Sequence, residues 1–205
     1  MTPHRYQPVA EALALLALIF PIAVVYHLPT LWFLVPFVVI TLTRRPYPTY
    51  GLSWRNPGRL EFHVSMLFGV FLPYALAHYV VAHWWLGAAF HPRLPPAFLQ
   101  SAIDQVVLIA LPEEFFFRGY LQVQCDAVWE RPYRLLGAQC GPGLIVAAAL
   151  FAVCHLTLGL GGLTRFFPGL WYGWLRARTD TIAVPVAYHA ASNLLMQFML
   201  VSLSA

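Results

Sequence analysis

Residues 98–123 read FLQSAIDQVVLIALPEEFFFRGYLQV, an apolar segment long enough to cross a lipid bilayer as a single helix. The ionisable residues that interrupt it are Asp104, Glu113, Glu114 and Arg118. A charged side chain at mid-membrane costs about 2.5–3.5 kcal/mol on insertion scales, so a group of them in one helix points to a function. Glu114 and Arg118 lie one helical turn apart on nearly the same face, which predicts an ion pair. Pro112 removes one backbone hydrogen bond and predicts a kink or break just before the carboxylates.

The composition of the whole chain is that of a membrane protein. Of the 205 residues, 60% are hydrophobic and 10% are charged, whereas a soluble domain has about 25% charged residues. This balance excludes an ordinary soluble protein, a disordered chain and a disulfide-stapled secreted protein. The 3 cysteines lack metal-like spacing and predict neither a disulfide framework nor a zinc site. The net charge of +4 is carried by arginines alone, and we predict no nucleic-acid partner because these arginines lie in short loops.

Seven apolar segments predict an all-α fold, a polytopic membrane helix bundle with about seven transmembrane helices. The clear spans are residues 9–28, 62–86, 98–123, 143–160 and 182–203, and the weaker ones are 28–43 and 161–175. We interpret residues 1–205 as a single integral membrane domain. Its first span continues too far, without a small-residue cleavage site, to be a cleaved signal peptide.

The distribution of arginine predicts the orientation of this bundle. With the N-terminus in the cytoplasm, only Arg93 and Arg165 fall in outer loops. The arginines that then fall in cytoplasmic segments are Arg5, Arg44, Arg45, Arg55, Arg59, Arg131, Arg134, Arg176 and Arg178. Such an excess of positive charge is typical of cytoplasmic loops. We therefore predict a multi-pass protein of the cell membrane with its N-terminus inside and its C-terminus outside.

Two further predicted helices carry polar residues at a spacing of four. Phe151 and His155 lie in the fifth span, and His189 and Asn193 lie in the seventh, so each pair points from one helix face. Polar groups in hydrocarbon must find each other or water, so we expect the charged and polar residues of the three helices to converge. Taken singly, each has a plainer interpretation, such as a packing ion pair, a core histidine or an asparagine that joins helices.

The ordered set Glu-Glu-x-x-x-Arg, Phe-x-x-x-His and His-x-x-x-Asn resembles the CPBP family, the CAAX proteases and bacteriocin-processing enzymes also called the Abi family. Members of this family are glutamic-type intramembrane endopeptidases. The resemblance covers about residues 98–199, and the motif-bearing catalytic half of the chain is about 98–205. The glycines at positions 119, 169 and 173 also fit the usual appearance of the family.

The resemblance implies a role for each motif residue. Glu113 and His155 would activate water, Glu114 and Arg118 would position this pair, and His189 and Asn193 would hold the oxyanion. Amide hydrolysis needs such a base and such donors. We predict no cofactor and no metal, and the expected partners are the lipid bilayer and a membrane protein or lipidated peptide as substrate.

Other functions stay open at this point. Glu and His could bind zinc as in a metalloprotease, although His-Glu-x-x-His is missing. Buried Glu, Arg and His also build proton relays in proton-coupled transporters, although no inverted repeat is evident. A non-catalytic immunity or scaffold protein could keep the same fold. For a protease, arginine without lysine suggests a GC-rich bacterial genome, which favours processing or sorting of C-terminal tails over prenyl processing.

Overall fold

The computed structural model describes residues 3–53 and 58–204, so Arg55 of the predicted cytoplasmic arginines lies outside the described residues. The long helices of this part of the chain are α1 (Gln7–Val25), α2 (Leu31–Leu42), α3 (Leu60–Trp85), α4 (residues 98–129), α5 (Pro142–Cys154), α6 (Phe166–Thr179) and α7 (Ala183–Ser202). Short 3₁₀ helices flank them at Pro3–Tyr6, Tyr47–Tyr50, His155–Leu158 and Leu160–Arg165. The predicted helical class is confirmed.

Three of these helices, α1, α3 and α7, are long and apolar enough to cross a membrane. The helix α2 is apolar but shorter, as is α5 together with the 3₁₀ turn that follows it. The helix α6 has 14 residues, which is about 21 Å at 1.5 Å per residue and less than the hydrocarbon core of about 30 Å. The number of seven spans therefore stays a prediction.

Two short antiparallel ribbons add a feature that the apolar pattern did not predict. The strand β1 (Ala89–Phe90) pairs with β4 (Leu203–Ser204), which ties the segment before α4 to the end of α7. The strands β2 (Tyr133–Leu135) and β3 (Ala138–Cys140) form a hairpin between α4 and α5. Each strand has only two or three residues, too few for a visible alternation of apolar and polar positions.

Two side-chain hydrogen bonds to α4 place the two ends of the described chain at opposite ends of the bundle. A guanidinium nitrogen of Arg5 donates to the carbonyl of Val128, at the end of α4, over 3.2 Å. At the other end of α4, the hydroxyl of Ser101 donates to the side-chain carbonyl of Gln197, near the end of α7, over 2.7 Å. Because α4 runs from one end of the bundle to the other, the start of α1 and the end of α7 lie on opposite sides.

The helix α4 is the centre of the bundle, and its core is aromatic. Phe115, Phe116 and Phe117 are at most 1% exposed. The ring of Trp32 from α2 lies 4.8 Å from the ring centroid of Phe116 and 5.3 Å from that of Phe117. Phe117 also meets Phe151 of α5 edge-to-face, with ring centroids 5.1 Å apart, so it lies between α2 and α5. Tight side-chain packing of this kind holds helices together where lipid surrounds them.

Of the kink or break that Pro112 predicts, the break does not occur. The helix continues through Pro112, with π-helical stretches at Gln105–Ala110 and Phe115–Leu121 on either side of Leu111–Glu114. A π-helical turn has one more residue than an α-helical turn, so it provides alternative backbone bonding where proline lacks an N–H. The carboxylates of Glu113 and Glu114 therefore project from a continuous but locally widened helix.

Candidate active site

Glu114 lies at the centre of a fully buried polar cluster. One guanidinium nitrogen of Arg118 donates to Oε1 of Glu114 over 3.0 Å, which is the ion pair that the spacing predicts. The Nδ1 atom of His189 lies 2.7 Å from the same oxygen, and both carboxylate and guanidinium are inaccessible to solvent. An ionised carboxylate only accepts hydrogen bonds, so Nδ1 of His189 carries the hydrogen and its Nε2 faces away from Glu114.

Glu113 lies beside this cluster and is bound less tightly. Its Oε2 atom is 3.9 Å from Nε2 of His189, too far for a direct hydrogen bond, and its side chain is 18% exposed. Among the described residues, no group donates to that oxygen. Oε2 of Glu114 also has no donor among the described residues, but Oε1 of Glu114 is bound by Arg118 and His189. The two carboxylates therefore differ in that Glu114 is held in an ion pair and inaccessible to solvent, whereas Glu113 is partly exposed and has no partner within hydrogen-bond distance of its Oε2.

Arg118 is held by groups from α5 and α6. A second guanidinium nitrogen donates to the carbonyl of Gly169 over 3.2 Å, and the guanidinium carbon lies 4.2 Å from the ring centroid of Phe151. A desolvated cation–π contact contributes about 2 kcal/mol. A Cβ atom at Gly169 would lie 3.3 Å from Cα of Ala148, closer than most contacts allow, so glycine permits the approach of α5 and α6 that brings these groups to Arg118.

His155 is the first residue of the 3₁₀ turn that follows α5. Its Nδ1 donates to the carbonyl of Phe151 over 2.7 Å, because a carbonyl oxygen cannot donate. The neutral ring therefore keeps Nε2 as an acceptor, which is the tautomer that a general base needs. The ring centroid of Phe151 lies 4.5 Å from that of His155 and 6.0 Å from that of His189. Phe151 thus separates the two imidazoles and sets their positions.

Asn193 lies one turn beyond His189 on α7 and lines a cavity of about 900 Å³. Its amide nitrogen donates to the side-chain carbonyl of Gln105 over 2.8 Å. The structure thus brings Glu113, Glu114, Arg118 and His189 together directly. His155 is joined to them through Phe151, and Asn193 lies in the adjoining cavity wall.

Sequence reasoning did not single out Gln105 and Tyr172. The ring of Tyr172 stacks on that of His189, with centroids 4.9 Å apart and planes 15° from parallel, and lies 5.4 Å from the guanidinium of Arg118. Gln105 could have been noticed as an amide within an apolar span. Tyr172 carried no such signal, because aromatic residues form 16% of the chain.

A second polar cluster, from the N-terminal half, was also not predicted. The guanidinium of Arg45 donates to both carboxylate oxygens of Glu11, over 2.8 and 2.7 Å. Tyr120 and Gln124 of α4 donate to the same carboxylate. The hydrogen bonds that Arg45 donates to Glu11 raise the pKa of Arg45 above its ordinary value, so its guanidinium stays charged. It fastens α1 and the end of α2 to α4, which anchors the helix that carries the two glutamates.

No group of three or more His, Cys, Asp or Glu side chains in residues 3–53 and 58–204 lies close enough together to hold a metal ion. In this part of the chain, the zinc-protease interpretation therefore lacks a ligand set.

The residues of this cluster coincide with a match to a known family. A family model described as "Type II CAAX prenyl endopeptidase Rce1-like" matches residues 95–195, the segment that contains α4 to α7 up to Asn193. Comparison with curated proteins and with solved structures gives no match. The family is one of CAAX-type membrane proteases, and three helices of the described chain are long and apolar enough to span a membrane. Through residues 95–195, the chain belongs to the Rce1-like family of CAAX-type membrane proteases.

Proposed function

We propose that the chain is a glutamic-type intramembrane endopeptidase that hydrolyses a peptide bond in a membrane-anchored or lipidated protein. The observation that carries this proposal is the unequal state of two adjacent carboxylates. Oε1 of Glu114 is paired with Arg118 and accepts from His189, and its side chain is inaccessible to solvent, whereas Glu113 is 18% exposed and its Oε2 lies 3.9 Å from Nε2 of His189 with no donor among the described residues. Such a division suits one carboxylate to proton transfer and the other to holding the site together.

The proposed reaction begins with proton removal from water. Glu113, assisted by Nε2 of His155, accepts the proton, and the water oxygen attacks the carbonyl carbon of the substrate. The amide of Asn193 donates to the oxyanion that forms, and so does Nε2 of His189, which for this step carries a hydrogen on each ring nitrogen as the imidazolium. The proton then passes to the leaving amine, and the peptide bond breaks. Glu114 holds Nδ1 of His189 and stabilises the ring when it carries a charge, as a carboxylate does in other hydrolytic sites.

Cleavage of a membrane-anchored peptide by the purified protein tests this proposal. The protein is reconstituted in nanodiscs, and the products are identified by mass spectrometry in water enriched in ¹⁸O. Hydrolysis places one ¹⁸O atom in the new carboxyl terminus. Activity that survives chelation by EDTA contradicts zinc catalysis, and proton flux without cleavage supports the transporter instead. A peptide that stays intact after long incubation, without proton flux, favours the interpretation as a non-catalytic scaffold protein.

Asn193→Ala is expected to lower kcat about 10²–10³-fold with little change in KM, because one oxyanion donor is lost. Steady-state kinetics on one peptide measure this effect. Gln100→Ala is the control, since Gln100 carries an exposed amide at the start of α4 that bonds only to Asp104 in the described chain. A change confined to KM would contradict oxyanion stabilisation by Asn193 and indicate a role in substrate docking instead.

We also propose that the protein lies in the cell membrane with its N-terminus in the cytoplasm and its C-terminus outside. The positions of the described ends on opposite sides of the bundle support an odd number of crossings. Tags fused before Thr2 and after Ala205 are expected to differ in protease accessibility in sealed cells, with only the C-terminal tag digested. Digestion of both tags, or of neither, would contradict this orientation.

The preferred substrates are C-terminal tails of bacterial membrane-anchored proteins, which the enzyme would process or sort. The arginine usage that suggests a bacterial source supports this choice, because bacteria generally lack prenylated CAAX proteins. Neighbouring genes whose products share a similar apolar tail would provide the first candidates.

A further inference from the structure

The cavity beside the candidate active site extends toward the end of the bundle that carries the α5–α6 turn. Its volume is about 900 Å³, and its walls come from α3, α4, the turn before α6, α6 and α7. Most of its surface is apolar, with contributions from Phe71, Leu158, Phe167, Trp171 and Met196. A space of this size and lining is typical of a site for an apolar ligand with a few polar anchors.

The charge of the cavity is unusual. Among the described residues that line it, Arg165 is the one charged side chain, and no carboxylate lies in the walls. The described part of the chain offers no ion-pair partner to Arg165, although each of the other half-buried or buried guanidiniums of Arg45, Arg118 and Arg176 has one. Arg165 also precedes the first turn of α6, where the helix dipole adds positive potential. The cavity therefore favours an anionic group at this position.

The position of Arg165 relates this charge to the site. Tyr172, which stacks on His189, follows seven residues later on α6, a rise of about 10 Å. Asn193 lines the same cavity from α7. An extended chain covers about 3.3 Å per residue. A peptide whose end lies at Arg165 can therefore reach Asn193 with a bond only a few residues from that end.

We propose that Arg165 is a specificity-determining residue that binds the free α-carboxylate at the C-terminus of an apolar substrate segment. This inference rests on the proposed peptidase function. A phospholipid phosphate has related chemistry, but a headgroup lies at the membrane surface, whereas Arg165 lines a cavity that leads inward to Tyr172 and Asn193. A guanidinium binds a carboxylate through two parallel hydrogen bonds, which an amide terminus cannot reproduce.

A matched pair of peptides tests the proposal. Both are acylated, fluorescent and identical in their apolar C-terminal segment, but one ends in a carboxylate and the other in a carboxamide. In phosphatidylcholine nanodiscs, the protein is expected to cleave the free acid with a kcat/KM about 10- to 100-fold higher, chiefly through KM. Arg165→Gln is expected to bring this ratio close to one, and Arg165→Lys to restore part of it. Arg93→Gln, which changes an exposed arginine at the same end of the bundle, keeps the ratio.

The outcomes separate this inference from the proposed function. A ratio near one in the wild-type protein, or a ratio that survives Arg165→Gln, overturns the role of Arg165 while leaving the peptidase intact. If neither peptide is cleaved, the affinities of both for the Glu113→Gln protein, measured by fluorescence anisotropy, give a binding ratio that tests Arg165 in the same way. Equal binding of the peptides, together with Arg165-dependent retention of spin-labelled phosphatidylglycerol, would assign the guanidinium to a lipid headgroup and overturn the proposal.

Discussion

Glu113→Gln is expected to abolish peptide cleavage, with a loss of about 10²–10⁴ in kcat and little change in folding. Glutamine has the size of glutamate, but it cannot accept the proton of the attacking water. No described residue donates to Oε2 of Glu113, and the contact of this oxygen with Nε2 of His189 is 3.9 Å long, so its replacement removes little that holds the helices together. The measurements are kcat on the membrane-anchored peptide and the thermal midpoint of the purified protein.

The control for this variant is Glu61→Gln, which changes an exposed glutamate in the first turn of α3. It should keep both activity and thermal midpoint. Substantial turnover by a folded Glu113→Gln protein would remove Glu113 from the role of base. The remaining carboxylate, Glu114, would then be the next candidate, although both Arg118 and His189 bind one of its oxygens.

Arg118→Ala is expected to destabilise the protein by about 3–5 kcal/mol, because it leaves the carboxylate of Glu114 buried without its cation. The substitution also removes the hydrogen bond to Gly169 and the contact with the ring of Phe151, which join α4 to α6 and α5. Activity should fall together with stability, since His189 depends on the same carboxylate. Denaturation in detergent and the thermal midpoint measure the loss.

A double variant separates the charge from the packing. Glu114→Gln combined with Arg118→Met removes both charges while filling the space, so it should be more stable than Arg118→Ala alone. Arg134→Ala serves as the control, because Arg134 is an exposed residue of the hairpin between α4 and α5. If Arg118→Ala were as stable as the wild type, the buried ion pair would not be a structural element of the bundle.

The residue pairs at a spacing of four could be predicted because both partners belong to one helix. The Glu114–Arg118 ion pair follows from helix geometry alone, whereas His155 contacts Phe151 from the first position of the 3₁₀ turn that continues α5. Of the kink or break predicted at Pro112, the break was wrong, since π-helical stretches keep α4 continuous, and the kink stays a prediction. Sequence periodicity does not distinguish an α-helical turn from a π-helical one, which differ by a single residue per turn.

The membrane-type composition, the helical class and the spacing of residues within the three motifs are features that the amino-acid pattern predicts alone. These follow from local properties, namely the cost of charge in hydrocarbon and the periodicity of one helix. Three contacts are seen only in the packed bundle. His189 binds Glu114, 75 residues earlier in the chain, Tyr172 stacks on His189, and Arg165 lines the cavity. Such contacts depend on how whole helices pack and rotate against one another. The spacing of residues along a single helix does not predict that packing.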